Sequence, residues 1–139
     1  MGGWHDGRGR LWIAGGSGDE AGGADRHGNT DDRGGTAPGV PLPLEIAASY
    51  RARTRGLLGR DGIEGALLLT PASSVHTFRM RFAIDVAYLD RRLTVLAVHT
   101  MRPNRLGRPR LRSRHVLEAE AGAMAAWGLC PGTRLTVET

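Results

Sequence analysis

Ala83-Ile84-Asp85-Val86-Ala87-Tyr88-Leu89, then Asp90-Arg91-Arg92, then Leu93-Thr94-Val95-Leu96-Ala97-Val98-His99 is the stretch that decides the fold of this chain. The first run is rich in β-branched and aromatic residues and too short for a typical helix, which predicts a buried strand. Asp90-Arg91-Arg92 reads as a tight turn, so the two runs predict an antiparallel hairpin. A single acid, Asp85, sits inside the apolar ribbon.

The same reasoning extends outward. Leu42, Leu44 and Ile46 alternate with Pro43, Glu45 and Ala47, which predicts a strand over residues 42–48. Ser49 suits a helix N-cap, because its hydroxyl can accept an orphan backbone N–H. A short helix over residues 50–58 follows, with Gly59 placed to end it in a left-handed conformation. Residues 66–69 form an apolar run stopped by Thr70-Pro71, and residues 75–78 carry Val, Thr and Phe; both predict strands. Residues 115–120 predict another strand, and residues 121–127 an Ala-rich helix stopped by Gly128. Pro131-Gly132 turns the chain into a last strand over residues 133–137. Tight turns join several of these strands, so antiparallel pairing should dominate. The expected fold class is mostly β (α+β): a compact antiparallel β-barrel or curved sheet with two short helices.

Composition sets the boundaries. The chain has 139 residues, enough for one domain, and 40% of them are apolar while 5% are aromatic, so the core must be mainly aliphatic. Residues 1–40 hold 13 of the 21 glycines and show no helix or strand period. Such a segment buries too little apolar surface to offset its ordering entropy, so it is expected to be disordered or to reflect a mis-assigned start. Leu11-Trp12-Ile13 is its one apolar island and could add an edge strand. Residues 42–139 are expected to form a single β-rich domain. Net charge is +5, all of its basic residues are Arg, and the excess lies in residues 42–139. No stretch reaches the ~20 apolar residues of a membrane helix. A basic start followed by an apolar core and a cleavage site is absent, so a cytoplasmic monomer is expected. One cysteine, Cys130, excludes an internal disulfide framework and a multi-cysteine metal site.

Four blocks appear in order: Arg53-Thr54-Arg55-Gly56-Leu57-Leu58-Gly59-Arg60, His76-Thr77-Phe78-Arg79-Met80, Ile84-Asp85-Val86-Ala87-Tyr88-Leu89-Asp90, and Val116-Leu117-Glu118-Ala119-Glu120-Ala121-Gly122. As a set they resemble the family called domain of unknown function 192, over residues 45–137. The resemblance implies a small, mostly β fold and supplies no activity. Many members of that family carry a Trp-Met pair in the second block and Gly in the hairpin turn, where this chain has His76-Thr77-Phe78-Arg79-Met80 and Arg91-Arg92.

Charged residues inside apolar strands are the candidates for chemistry. An unpaired buried carboxylate costs several kcal/mol or shifts its pKa upward, so Asp85 is expected to have a partner: an Arg or backbone N–H groups. Glu118, flanked by Leu117 and Ala119, has the same logic. Arg55 and Arg60 are the expected partners, since a guanidinium matches a carboxylate or phosphate bidentately; Arg51 and Arg53 are expected to be solvated. His76, Phe78 and Met80 share one face of their strand. The expected ligand-binding set is therefore Arg55, Arg60, His76, Phe78, Met80, Asp85 and Glu118. Arg and His would hold an anionic group, Asp85 would orient Arg, and Phe78 and Met80 would supply apolar contact. No metal site and no cofactor are expected, and no catalytic motif is recognisable.

The expected function is a binding module for a small anionic or peptide ligand. One alternative is a hydrolase-like enzyme in which Asp85, Glu118 or His76 serve as acid and base. Another is binding of nucleic acid or an acidic partner through residues 102–114, an irregular loop bounded by Arg102 and Arg114 with six Arg and two Pro. That loop has no aromatic residue to stack bases. A third is docking to a larger assembly, for which exposed apolar area near Trp127 and Leu129 would speak.

Overall fold

The hairpin around Asp90 forms. In the computed structural model, which describes residues 3–14 and 40–139, β4 (Ile84–Leu89) pairs antiparallel with β5 (Val95–Met101), with an irregularity at Tyr88/Leu89. Asp90 Oδ1 accepts from the backbone N–H groups of Arg92 and Thr94, which replaces the missing turn glycine. The remaining strands are β1 (Gly7–Ile13), β2 (Leu42–Ala47), β3 (Ala66–Leu69), β6 (His115–Glu120) and β7 (Leu135–Glu138). Among the described residues two short helices complete the set: α1 (Tyr50–Arg55) and α2 (Ala123–Ala126).

The strands make one sheet in the order β5-β4-β6-β3-β2-β1-β7. Every pairing is antiparallel except β2–β3, whose crossover runs through α1. Gly65 opens β3 at φ 71 with its Cα packed on the Pro43 carbonyl, a place that admits no Cβ. The sheet curls into a half-barrel. Near its two edges, Val95 N–H donates to Thr133 O at 2.8 Å and Leu135 N–H to Leu93 O at 2.9 Å, so the ends of the sheet meet.

Alternation splits the strands between two apolar layers. Leu44, Ala66, Leu117, Ala87, Leu89 and Met124 belong to the inner layer that α2 plugs. Leu67, Val116, Val86, Tyr88, Leu57 and Met80 belong to the outer layer, beneath α1 and the loops. Both faces of the central strands are thus buried, which explains their near-continuous apolar runs.

Several readings of the sequence are corrected. Leu11-Trp12-Ile13 is part of β1, which lies between β2 and β7 and not at an edge; Leu11 is fully buried. Asp6 secures the start of this strand by accepting from Ala48 N–H at 2.6 Å, Ser49 N–H at 2.8 Å and Ser49 Oγ at 2.6 Å. Disorder expected within residues 1–40 is therefore not found over β1; residues 15–39 lie outside the described residues. Residues 75–78 form no strand. Arg79 adopts φ 61 and Thr77 bonds across to residues 102–105, leaving one isolated bridge, His76 to Leu106. The first helix stops at Arg55 because Gly56, at φ 47, turns the chain early. Leu129 is buried in the inner layer and Trp127 packs against it, so the exposed apolar area that would speak for docking is not found at Leu129.

Candidate functional site

Register places the two strand carboxylates on opposite faces. Glu118 of β6 stands opposite Val86 and Leu67, in the outer layer, while Asp85 of β4 stands opposite Ala119, in the inner layer. They cannot act together on one substrate, which removes the acid–base reading that pairs them.

Asp85 is 3% exposed and fully used. Its Oδ1 accepts from Thr100 Oγ1 at 2.6 Å; its Oδ2 accepts from the N–H groups of Gly122 at 2.9 Å and Met124 at 3.1 Å. The carboxylate thus satisfies the orphan donors that open α2. Among the described residues no guanidinium pairs with it, so the expected Arg partner is corrected: an acid whose lone pairs are met by backbone N–H groups needs no counter-cation. The role of orienting Arg falls with it.

Glu118 is the opposite case. It is 4% exposed, and among the described residues no donor hydrogen-bonds its carboxyl. Burial pushes its pKa up from 4.5 to about 7, so near neutrality it holds its proton about half the time. It lines a cleft of about 340 Å³ between α1 and residues 71–76, a volume at the lower end of small-ligand sites. Leu57, Leu69, Val75 and Met80 are buried apolar residues of its lining, and the exposed Thr54, Arg55, Ser73 and His76 stand at its rim. Ser49 Oγ accepts from Ala52 N–H at 3.1 Å and caps the helix that forms one wall.

Four of the seven expected residues therefore share this cleft: Arg55, His76, Met80 and Glu118. Three do not. Arg60 pairs with Glu45 at 2.6 Å on β2, held there by an acid closer than either candidate. Phe78 is half exposed and stacks on His76 with ring centroids 5.2 Å apart, outside the cleft lining. Asp85 faces the other layer. Arg53, expected to be solvated, lines the cleft instead. Its Nη1 donates to Pro71 O at 2.9 Å, and among the described residues its buried Nε has no partner. No sequence signal separates Arg53 from Arg51, because the distinction depends on where residues 71–76 pack. Cys130 is exposed, its Sγ 3.4 Å from Thr133 Oγ1. Among the described residues no three His, Cys, Asp or Glu side chains are grouped to share a metal ion, and no helix is long and apolar enough to cross a membrane.

The curled sheet with one plugging helix and one helix over a cleft defines a class of small β-rich proteins. Its architecture is similar to two solved structures. One, from Sinorhizobium meliloti, has been put forward as a transcription regulator: TM-score 0.70, 19% identity, 98% of each chain covered. The other is a protein of unknown function from Novosphingobium aromaticivorans: TM-score 0.66, 15% identity, 91% of this chain and 83% of that one. At such identities the likeness is one of fold. In sequence the chain is 31% identical over 84 residues to UPF0127 proteins of Pyrococcus horikoshii and Pyrococcus abyssi, covering 57% of this chain and 73% and 72% of theirs. Residues 33–137 match the DUF192 family, described as an uncharacterized ACR, and the chain belongs to that family.

Proposed function

We propose that the chain is a binding module whose α1 cleft takes a small ligand, or the end of a peptide, that carries an anionic group. The observation that carries this reading is Glu118: a buried carboxyl without a hydrogen-bond partner among the described residues, at a cleft whose rim holds cations. In its protonated form it donates a hydrogen bond to a carboxylate or phosphate oxygen. Arg55 and His76 at the rim supply positive or donor groups, and Met80 supplies apolar contact. Binding of an anion would hold the proton on Glu118, so affinity should fall as pH rises through about 7.

The test is ligand-observed NMR with aliphatic carboxylates and short peptides bearing a free C-terminal carboxylate. Binding by the wild type should weaken between pH 6 and pH 8. Glu118→Gln should make affinity nearly independent of pH, and Arg55→Gln should weaken it about tenfold. Binding that is indifferent to both substitutions would count against the cleft.

A further inference from the structure

The outer face of the sheet carries a second concavity, independent of the α1 cleft. It measures about 640 Å³ and lies over β4 and β5, beneath residues 102–110. Four arginines line it: Arg102, Arg105, Arg108 and Arg110. Tyr88 and His99 are also part of its lining, and among the described residues that line it there is no carboxylate.

Residues 102–110 are not a free loop. Buried Thr77 donates through Oγ1 to Arg102 O at 2.6 Å and accepts from Arg105 N–H at 2.8 Å. Gly107 N–H donates to Val75 O at 2.8 Å and Arg110 N–H to Ser73 O at 2.9 Å. The backbone bearing the arginines is therefore fixed before any ligand arrives. Arg110 is fixed at its side chain too. Its guanidinium carbon lies 5.1 Å from the centroid of the Tyr88 ring, and its Nη2 donates to His99 Nε2 at 2.8 Å, since a guanidinium has no lone pair to offer. Among the described residues its buried Nε has no partner. Tyr88 is 2% exposed, and among the described residues no hydrogen bond is made by its hydroxyl, which abuts Gly107 in the lining of the concavity. Four like charges carried on one short braced segment repel one another, and an anion that bridges them relieves that repulsion.

We propose that this concavity binds the phosphate chain of a compact polyphosphate, either inorganic or the tail of a nucleotide. One carboxylate leaves three of the four cations unbalanced and one phosphate about half of them, whereas a di- or triphosphate offers several charges, with acceptor oxygens for the planar guanidinium forks, within one small volume. The concave, self-contained shape favours such a ligand over a nucleic-acid strand, which needs an extended basic track.

The experiment is titration calorimetry of the full chain with sodium tripolyphosphate and, separately, adenosine triphosphate, at two salt concentrations. Saturable one-site binding is expected. Arg105→Gln/Arg108→Gln, at two exposed positions, should weaken it at least about tenfold. Tyr88→Phe should weaken it several-fold, with its thermal melt checked alongside. Arg91→Gln/Arg92→Gln makes the same charge change on the β4–β5 turn and should leave affinity within about twofold. Equal affinities for the two probes mean that the phosphate chain alone is read; tighter nucleotide binding means that the base adds contacts, and both support the site. The proposal is overturned if tripolyphosphate shows no saturable binding below about 1 mM, a weak affinity for so dense a charge cluster. It is equally overturned if the turn variant loses as much as the cleft variant, or if a twelve-residue oligothymidylate binds tighter than tripolyphosphate.

Discussion

Two carboxylates on neighbouring strands meet opposite fates, and the difference comes from which face each side chain takes. Asp85 is held by one hydroxyl and two backbone N–H groups. Replacing it by Ala would orphan all three donors, at a cost of about 3 kcal/mol, while Thr100→Val removes one bond and should cost about 1 kcal/mol. Urea unfolding of both variants and of the double variant measures this. A double variant no worse than Asp85→Ala is expected, because Thr100 has nothing left to donate to. Glu118 acts on pH dependence instead. Between about 4.5 and 7 the folded chain keeps a proton that the unfolded chain has released. The group therefore lowers stability as pH rises through that window, by roughly 3 kcal/mol in total, and adds no further change above it. His115 acts with the other sign. Burial depresses its pKa, so its contribution is present above 6.5 and lost as pH falls. Unfolding midpoints at pH 5 and pH 8 should show that Glu118→Gln removes the Glu118 component and leaves the His115 component. An unchanged pH difference in that variant would contradict the burial of an unpaired acid. Both acids stand out in the sequence as charges in apolar runs. Their separation does not, since it depends on the register that sets Asp85 against Ala119 and Val86 against Glu118.

At the scale of elements, the strands with strong alternation or continuous apolar runs were legible, as were the Ser49 cap and the hairpin. The misreading at residues 75–78 has a specific cause. Val75, Thr77 and Phe78 favour a strand locally, yet the left-handed Arg79 and the bonds from Thr77 to residues 102–105 tie this segment to a loop instead. The same bonds convert an Arg-rich run, read as an irregular loop, into a braced rim. Thr77→Val keeps the shape and removes the hydroxyl. It should cost about 2 kcal/mol in chemical denaturation, because Arg105 N–H and Arg102 O lose a buried partner. It should also speed amide exchange at Arg105, and exchange at the wild-type rate would contradict the bracing role.

For the whole molecule, the decisive element is β1, which composition hid. Gly-rich flanks pointed to disorder, while a three-residue island pointed only to an edge. In the fold, β1 joins β2 to β7, and Asp6 ties it to the cap of α1 and so to one wall of the cleft. Leu11→Ala should cost about 3 kcal/mol through lost burial and the cavity left behind. Leu111→Ala, at a position 95% exposed, should change stability by less than about 0.5 kcal/mol. Equal effects in a urea titration would show that β1 is not part of the core. Function was less legible than fold, because both clefts are assembled from segments distant in sequence: α1, residues 71–76 and β6 for one, β4, β5 and residues 102–110 for the other.

The reading of the α1 cleft depends above all on the state of one side chain. Carbon-detected NMR of the Glu118 carboxyl, followed from pH 3 to pH 9 and assigned by its loss in Glu118→Gln, measures that state directly. A midpoint near 7 is expected. A midpoint near 4.5, the ordinary value for this side chain, would mean a solvated or paired carboxylate and would contradict the site.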